Sequence, residues 1–248
     1  MSPPAWRFHC LQQRRSNFGS IFTEKGKAMR LFSSSIGRKA VMAVTGLLMV
    51  LFVVGHLLGN LTIFWGPSGI NAYAMHLHEL EPIVWTSRIV MGLAVVLHIA
   101  LSIQLTLENR AAKPQKYAVS RSLRATFASK NMIWTGLILG AFVGYHLLQF
   151  TFRVTPGLTL GTDVLQRFDV YSMVVGSLRN ALVGIVYLVA IVSLALHLSH
   201  GVQSVFQTLG LSNAMLLPRY GMSGKALSAI FLVGFGAIPA VILVGILK

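Results

Sequence analysis

The sequence has few charged residues and almost no cysteine. Only 11% of its 248 residues are charged, against about a quarter in a typical soluble domain. Cys10 is its one cysteine, which excludes an internal disulfide, a CxxCH haem attachment and a cysteine-ligated iron–sulfur cluster within this chain. The sequence also has no GxGxxG dinucleotide loop. Any redox centre held by this chain alone must therefore use histidine or another non-thiolate ligand.

Apolar residues dominate instead, and they form long runs. The composition is 54% hydrophobic and the mean hydropathy is +0.69. Each of five segments can cross about 30 Å of hydrocarbon as a helix; they lie at about 38–64, 83–108, 130–153, 173–208 and 224–247. The pattern predicts an all-α integral membrane bundle of five transmembrane helices over residues 33–248. Residues 1–32 are expected to be a disordered basic extension, the alternatives being an organellar presequence or sequence upstream of a start at Met29. No internal repeat is expected.

The net charge of +15 comes from basic residues that lie between the apolar runs. Nucleic-acid binding is not expected, because these residues do not form a stripe along one helix face. Eight Lys and Arg occur in the first 39 residues, none in the first connection at 65–82, and six in the second connection. By the positive-inside rule, the N-terminus is predicted to be cytoplasmic.

Histidines occur on four of the five predicted helices: His56, His98, His146, and His197 with His200. Ionisable residues inside a membrane usually face the bundle interior and serve a function. Counted along the helices, His56 and His146 lie at one depth, and His98 and His197 lie roughly 10 Å nearer the cytoplasm. Two histidine pairs on facing helices predict two b-type haems, each ligated by two histidines.

Three further residues are candidates for contact with these haems. Gly201 lies one turn from His197 on the same helix face and leaves room for a flat macrocycle. His200 is too close to the cytoplasm to pair equally well with His98, so we expect it to hydrogen-bond a haem propionate or another helix. Arg38 is a candidate for a propionate or a lipid headgroup. Any one of the histidines could instead simply hydrogen-bond a neighbouring helix.

Several stretches together resemble a known family: GRKAVMAVTGLLMVLFVVGHLLGN, INAYAMHLHELEP, VVLHIALSIQL, WTGLILGAFVGYHLLQFT and LALHLSHGVQSVFQTLG. Their histidine spacing is similar to that of the cytochrome b subunit of succinate dehydrogenase/fumarate reductase, in its single-chain, five-helix, two-haem form. The resemblance runs from about Ser33 to the C-terminus. It implies that His56 and His146 ligate the distal haem and that His98 and His197 ligate the proximal one. In the family, the ligand of this helix stands thirteen residues before a glycine. Gly210 is the matching glycine here, so the resemblance selects His197 rather than His200 as the ligand.

The resemblance also implies partners and a substrate. The expected partners are a flavoprotein, which interconverts succinate and fumarate, and an iron–sulfur subunit docked on the cytoplasmic face, with a higher oligomer of the complex an open possibility. The substrate would be a membrane quinone, by resemblance menaquinone, in a bacterial inner (cytoplasmic) membrane. Quinone chemistry needs a proton donor or acceptor, and the candidates at the outer side are Glu79 first, then His76, His78 and Glu81. The alternative for these four is that they are solvated loop residues.

Other functions stay open at this point. A haem b subunit of a hydrogenase or formate dehydrogenase, or a transmembrane ascorbate-type cytochrome, would use the same kind of ligands. A transporter could use the histidines as a proton relay, although such proteins usually need broken helices or intramembrane carboxylates. A membrane anchor without haem is the remaining alternative.

Overall fold

The computed structural model describes residues 34–112 and 125–248. The predicted basic extension at 1–32 and the middle of the second connection lie outside these ranges. The helices are α1 (Ser35–Leu61), α2 (Gly66–Glu79), α3 (Glu81–Ala111), α4 (Phe127–Lys130), α5 (Met132–His146), α6 (Val170–Leu178), α7 (Ala181–Thr208) and α8 (Leu216–Leu243). A 3₁₀ turn, Thr62–Trp65, follows α1, and a π-helical segment, Leu147–Thr151, follows α5.

The predicted all-α membrane bundle is confirmed. Five helical segments are long and apolar enough to cross a membrane: α1 with its continuation into α2, α3, α5 with its π segment, α7 and α8. Within the described ranges the chain forms no β-strand, and its β-type pairing is an isolated bridge between Thr162 and Phe168. The chain is therefore a multi-pass membrane protein.

The first connection is more ordered than the sequence predicted, because α2 occupies most of it. Gly66 has a φ of 74°, which turns the chain, and Pro67 then stands in the first turn of α2, where its fixed φ favours a helix. The helix folds back on α1 at Gly59, where an added Cβ would lie only 2.6 Å from the Tyr73 ring. The space beside Gly59 is thus filled by a tyrosine.

The fourth predicted helix, at 173–208, is divided in two. It breaks between α6 and α7 at Arg179 and Asn180. The Asn180 side chain accepts hydrogen bonds from the backbone N–H groups of Leu182 and Val183 and so caps the start of α7. The fifth predicted helix begins earlier than expected, at Leu216.

Helix α8 carries no histidine and packs closely along α7. Gly184 and Gly224 make this approach possible at its two ends: an added Cβ at Gly184 would lie 2.9 Å from the Leu243 side chain, and one at Gly224 would lie 3.1 Å from the Ser199 carbonyl. Small residues permit such close helix contacts in membranes. Helix α8 also contacts α1, because Phe231 is buried against Leu57 and other apolar side chains.

A polar cluster closes the end of the bundle near α2. Asn71 is completely buried; its amide donates to Asp163 at 3.2 Å and to Asp169 at 3.1 Å, and it accepts from the Tyr171 N–H at 2.9 Å. Arg167 donates to Asp163 from its side chain and its backbone. These hydrogen bonds hold the pKa of Asp163 at about 2, below its ordinary value of 3.8. The cluster fixes the 161–171 segment on α2.

Candidate metal centre

The structure brings the four predicted histidines together as two pairs. His56 of α1 faces His146 of α5, with ring centres 5.7 Å apart and ring planes at 89°. His98 of α3 faces His197 of α7, with ring centres 6.4 Å apart and planes at 65°. We call them the outer pair and the inner pair, after the predicted orientation. All four side chains are half-buried between helices.

Both separations fit one metal ion held between two imidazoles. With metal–nitrogen bonds of about 2 Å and about 1 Å from that nitrogen to the ring centre, two rings on opposite sides of an ion have centres about 6 Å apart. Within residues 34–112 and 125–248, no group of three or more His, Cys, Asp or Glu side chains could hold a metal ion. Each pair therefore offers two protein ligands. Such a pair suits iron in a macrocycle, which supplies the remaining ligands itself.

The inner pair is oriented from the neighbouring helices. The Nδ1 of His98 lies 3.0 Å from the Met42 carbonyl oxygen and 3.3 Å from the Thr45 hydroxyl. The Nδ1 of His197 lies 3.1 Å from the Thr135 hydroxyl. Because a carbonyl only accepts, His98 must carry its proton on Nδ1. Nε2 is then the basic nitrogen that can bind a metal, as in most metal-ligating histidines with a backbone or side-chain partner.

Both threonines are held by their own helices. Thr45 Oγ1 donates to the Val41 or Met42 carbonyl, and Thr135 Oγ1 donates to that of Asn131 or Met132. A hydroxyl that donates in this way presents its lone pair to the histidine. Thr135 therefore accepts from the Nδ1–H of His197, which leaves Nε2 of that ring for a ligand as well.

A glycine follows each of these threonines and admits the imidazole. An added Cβ at Gly46 would lie 3.2 Å from Cε1 of His98, and one at Gly136 would lie 3.4 Å from Cε1 of His197. The contact at Gly46 is tighter than a side chain normally tolerates, and the contact at Gly136 is at van der Waals distance. The dipeptides Thr45-Gly46 and Thr135-Gly136 thus set the position and the orientation of the two inner rings.

The outer pair lies among aromatic side chains. The ring of Phe52 stacks on His56 at 5.6 Å, and Phe235 of α8 lies 6.0 Å from it. On the other side, Nδ1 of His146 lies 3.1 Å from the Tyr187 hydroxyl, which itself donates to Gln149 at 2.7 Å. His146 therefore donates from Nδ1 and presents Nε2 as a ligand.

The sequence contains an internal repeat, so the expectation of none was wrong. Residues 41–60 align with 131–150 without a gap at an offset of 90, and nine of the twenty positions are identical. The identical positions are Met42/Met132, Thr45/Thr135, Gly46/Gly136, Leu47/Leu137, Phe52/Phe142, Val53/Val143, His56/His146, Leu57/Leu147 and Leu58/Leu148. Apolar residues are common in any membrane helix, which hides the repeat until the polar positions are aligned.

The outer histidine pair joins equivalent positions of the repeat, and the inner pair lies outside it. The outer pair consists of His56 and its repeat partner His146. The inner pair consists of His98 and His197, which follow the outer histidines in α3 and α7 and are braced by the equivalent threonines. In each pair, two imidazoles from different helices face each other, which is the arrangement that a bis-histidine metal site needs.

The other predicted haem contacts lie near the inner end. An added Cβ at Gly201 would make an ordinary 3.9 Å contact with Met132 of α5. His200 is half-buried on the next turn after His197, and its ring has no hydrogen bond to any other described residue. The Arg38 side chain is 12% exposed and makes a two-pronged ion pair with Glu108, at 2.6 and 2.8 Å. Its Nε is buried and has no partner within the described ranges.

The predicted quinone-site residues lie at the outer end and are exposed. Nδ1 of His76 lies 3.2 Å from a carboxylate oxygen of Glu79 on the last turns of α2, and 67% and 61% of these side chains are exposed. His78 is exposed on the same helix, and Glu81, which begins α3, accepts a hydrogen bond from the Trp85 indole at 3.3 Å. The four predicted residues therefore lie where the end of α2 meets the start of α3, and not in a loop.

The residues that support the histidines were missed from the sequence. Thr45, Thr135, Tyr187 and Gln149 are all buried in the bundle. Thr and Gly stand eleven and ten residues before each outer histidine, and this repeated spacing could have identified the threonines. No such signal exists for Tyr187 and Gln149, because they meet across two helices that are distant in sequence.

Compared with protein-family models, with curated proteins and with solved structures, the chain matches none of them. Its function is therefore inferred from the geometry of the histidine pairs and the residues around them.

Proposed function

We propose that this protein is a dihaem cytochrome b, the membrane-anchor subunit of a succinate:quinone oxidoreductase of the succinate dehydrogenase/fumarate reductase type. The observation that carries the proposal is the pairing of four intramembrane histidines from four helices, with ring centres 5.7 and 6.4 Å apart. A proton relay would not need opposed pairs. Haem b at each pair would supply one-electron transfer across the bilayer.

The side chains of this protein hold the two centres in a membrane at low electrostatic cost. Neutral imidazoles add no net charge to the bundle interior. Each inner ring is oriented by a threonine hydroxyl, and His98 also by the Met42 carbonyl. Aromatic side chains surround the outer pair. His98 and His197 would hold a haem on the side of the electron-transfer partner, and His56 and His146 would hold the other haem on the quinone side.

The remaining chemistry belongs to partner subunits. With one cysteine and no dinucleotide loop, this chain supports neither iron–sulfur clusters nor flavin binding of that type. A flavoprotein would perform the dicarboxylate chemistry, and an iron–sulfur protein would dock on the cytoplasmic, basic side of the bundle. That side carries the six basic residues of the second connection, and Arg38 and Glu108 form their ion pair on it.

Quinone, by resemblance menaquinone, would react at the outer end in a bacterial inner membrane. Glu79 and His76 are paired there, and Glu81 begins the adjacent helix. A shallow groove of about 410 Å³ opens beside Glu81 and is lined by Pro82, Ile83, Thr86, Ser87 and Val90. The groove begins one residue after Glu81, whose exposed carboxylate is the type of group that exchanges protons with a reduced quinone.

A reduced-minus-oxidised absorption spectrum of the purified complex, with haem quantification, tests the proposal. We expect two haem b per chain, quinone reduction by succinate, and copurified flavoprotein and iron–sulfur subunits. His98→Ala should remove the inner haem and spare the outer one, and His56→Ala should do the reverse. A colourless protein would refute the cytochrome. Copurification with hydrogenase or formate dehydrogenase subunits would assign the cytochrome to those enzymes.

A further inference from the structure

The outer histidine His146 has a buried phenol as its hydrogen-bond partner. Tyr187 is 8% exposed and Gln149 is 2% exposed. The Tyr187 hydroxyl donates to Oε1 of Gln149 at 2.7 Å, so its own oxygen accepts the Nδ1–H of His146 at 3.1 Å. The three side chains form a directed chain of hydrogen bonds, in which each group strengthens the next.

This hydrogen-bond chain breaks the symmetry of the repeat. Tyr187 stands ten residues before His197, whereas the residue ten before His98, the other inner histidine, is Arg88. Arg88 is exposed, and its guanidinium lies over Trp85 at 5.1 Å. The repeat partner of Gln149 is Gly59. Among the described residues, the tyrosine–glutamine pair thus supports the outer histidine of the second half alone.

The backbone is also adapted at this point. Gln149 lies in the π-helical segment Leu147–Thr151, which directly follows His146, and the Phe152 N–H reaches the Leu147 carbonyl at 2.8 Å. Such single-turn π segments occur frequently at functional sites. In the first half, the equivalent chain continues as α-helix to Leu61. The local change of helix type accompanies the side chain that holds Tyr187.

We propose that Tyr187, held by Gln149, is a positioning residue that orients His146 and lowers the midpoint potential of the outer redox centre. The inference rests on the proposed two-haem function and assigns to this chain the residues that make its two centres unequal. An acceptor on the Nδ1–H of a ligating histidine makes the imidazole more basic. A more basic ligand favours the ferric over the ferrous ion, and second-shell hydrogen bonding is a known way in which proteins tune such potentials.

The test is a redox titration of the purified complex that carries Tyr187→Phe, followed through the haem absorption. We expect the potential of the outer haem to rise, while that of the inner haem stays unchanged. A tenfold change in the relative affinity for ferric and ferrous iron corresponds to about 59 mV for one electron. Tyr145→Phe is the matched control, because the Tyr145 ring lies 6.5 Å from Tyr187 and its hydroxyl has no hydrogen bond within the described ranges. It should shift neither potential.

If Tyr187→Phe loses the outer haem, a second variant still allows the outer potential to be measured. Gln149→Leu removes the acceptor of the phenol but keeps Tyr187, so the Tyr187 oxygen becomes a weaker acceptor and the outer potential should rise by less. An unchanged outer potential in the haem-loaded variants overturns the inference, as does an equal shift of both potentials. Failure of the two-haem proposal is seen separately, as absence of haem from the unsubstituted complex.

Discussion

Removal of the Thr135 hydroxyl should weaken the inner haem site more than removal of the Thr45 hydroxyl. Both residues occupy the same place in the repeat, and threonine and valine have the same shape. The two substitutions nevertheless leave different partners. In Thr45→Val, Nδ1 of His98 keeps its closest partner, the Met42 carbonyl at 3.0 Å. In Thr135→Val, Nδ1 of His197 loses its closest partner, at 3.1 Å, and keeps only a weaker contact with the Met132 backbone.

The magnitudes follow from these partners. Loss of an outer-shell hydrogen bond typically lowers metal affinity about 10–100-fold, so Thr135→Val should lower the affinity of the inner site for haem by about tenfold or more. Thr45→Val removes only the longer of two hydrogen bonds, which is 3.3 Å. A net contribution of about 0.5–1 kcal/mol makes its effect about two- to fivefold.

The assay is the rate of haem loss from the purified protein to an excess of a haem-scavenging apoprotein, with the inner and outer haems distinguished by their spectra. Thr106→Val is the control, because Thr106 lies on α3 like His98 but does not contact an imidazole. Within the described ranges, its hydroxyl bonds only the Ser102 carbonyl of its own helix, at 2.7 Å. It should not change the rate. A larger effect of Thr45→Val than of Thr135→Val, or faster loss of the outer haem, would refute the reasoning.

Three further outcomes are expected. Hydrogen bonds from Arg167 keep the pKa of Asp163 near 2, below its ordinary value of 3.8. The contribution of Asp163 to stability is therefore complete above about pH 4 and is lost as the pH falls toward 2. Hydrogen exchange of the 161–171 segment, corrected for intrinsic rates, should change over this pH range, and Asp163→Asn should abolish the pH dependence. Gly224→Leu should lower thermal stability by about 1–3 kcal/mol through overpacking, whereas Gly236→Ala, where an added Cβ meets nothing within 4 Å, should change it little. His200→Ala should retain both haem absorption bands; loss of the inner band would give the ligand role to His200.

Much of the fold could be predicted from the sequence, because helix length and hydropathy are local properties. The five apolar runs correspond to the five helices that can cross a membrane. The first connection and the break before Ala181 could not be predicted in this way. Helix α2 is held in place by Asn71, which is buried against the 161–171 segment, ninety residues or more away in the sequence. The break before Ala181 depends on an asparagine cap.

The pairing of the histidines could be expected from the sequence because depth in a membrane follows from counting residues along a helix. His56 with His146 and His98 with His197 were paired on that basis, and the structure brings these rings together. Rotation about the helix axes is not fixed by such counting. It decides that Thr45 of α1 faces His98 of α3, and that Tyr187 of α7 faces His146 of α5.

The sequence by itself thus determined that this protein lies in a membrane, how many membrane helices it has and at what depth its histidines lie. Each of these properties depends on the order of residues along single helices. The tertiary structure decided which hydroxyl or carbonyl orients each imidazole and that Arg38 pairs with Glu108. It also decided that the two repeated halves differ at Tyr187. These contacts join helices that are far apart in the chain, so they depend on how the helices pack and rotate against one another.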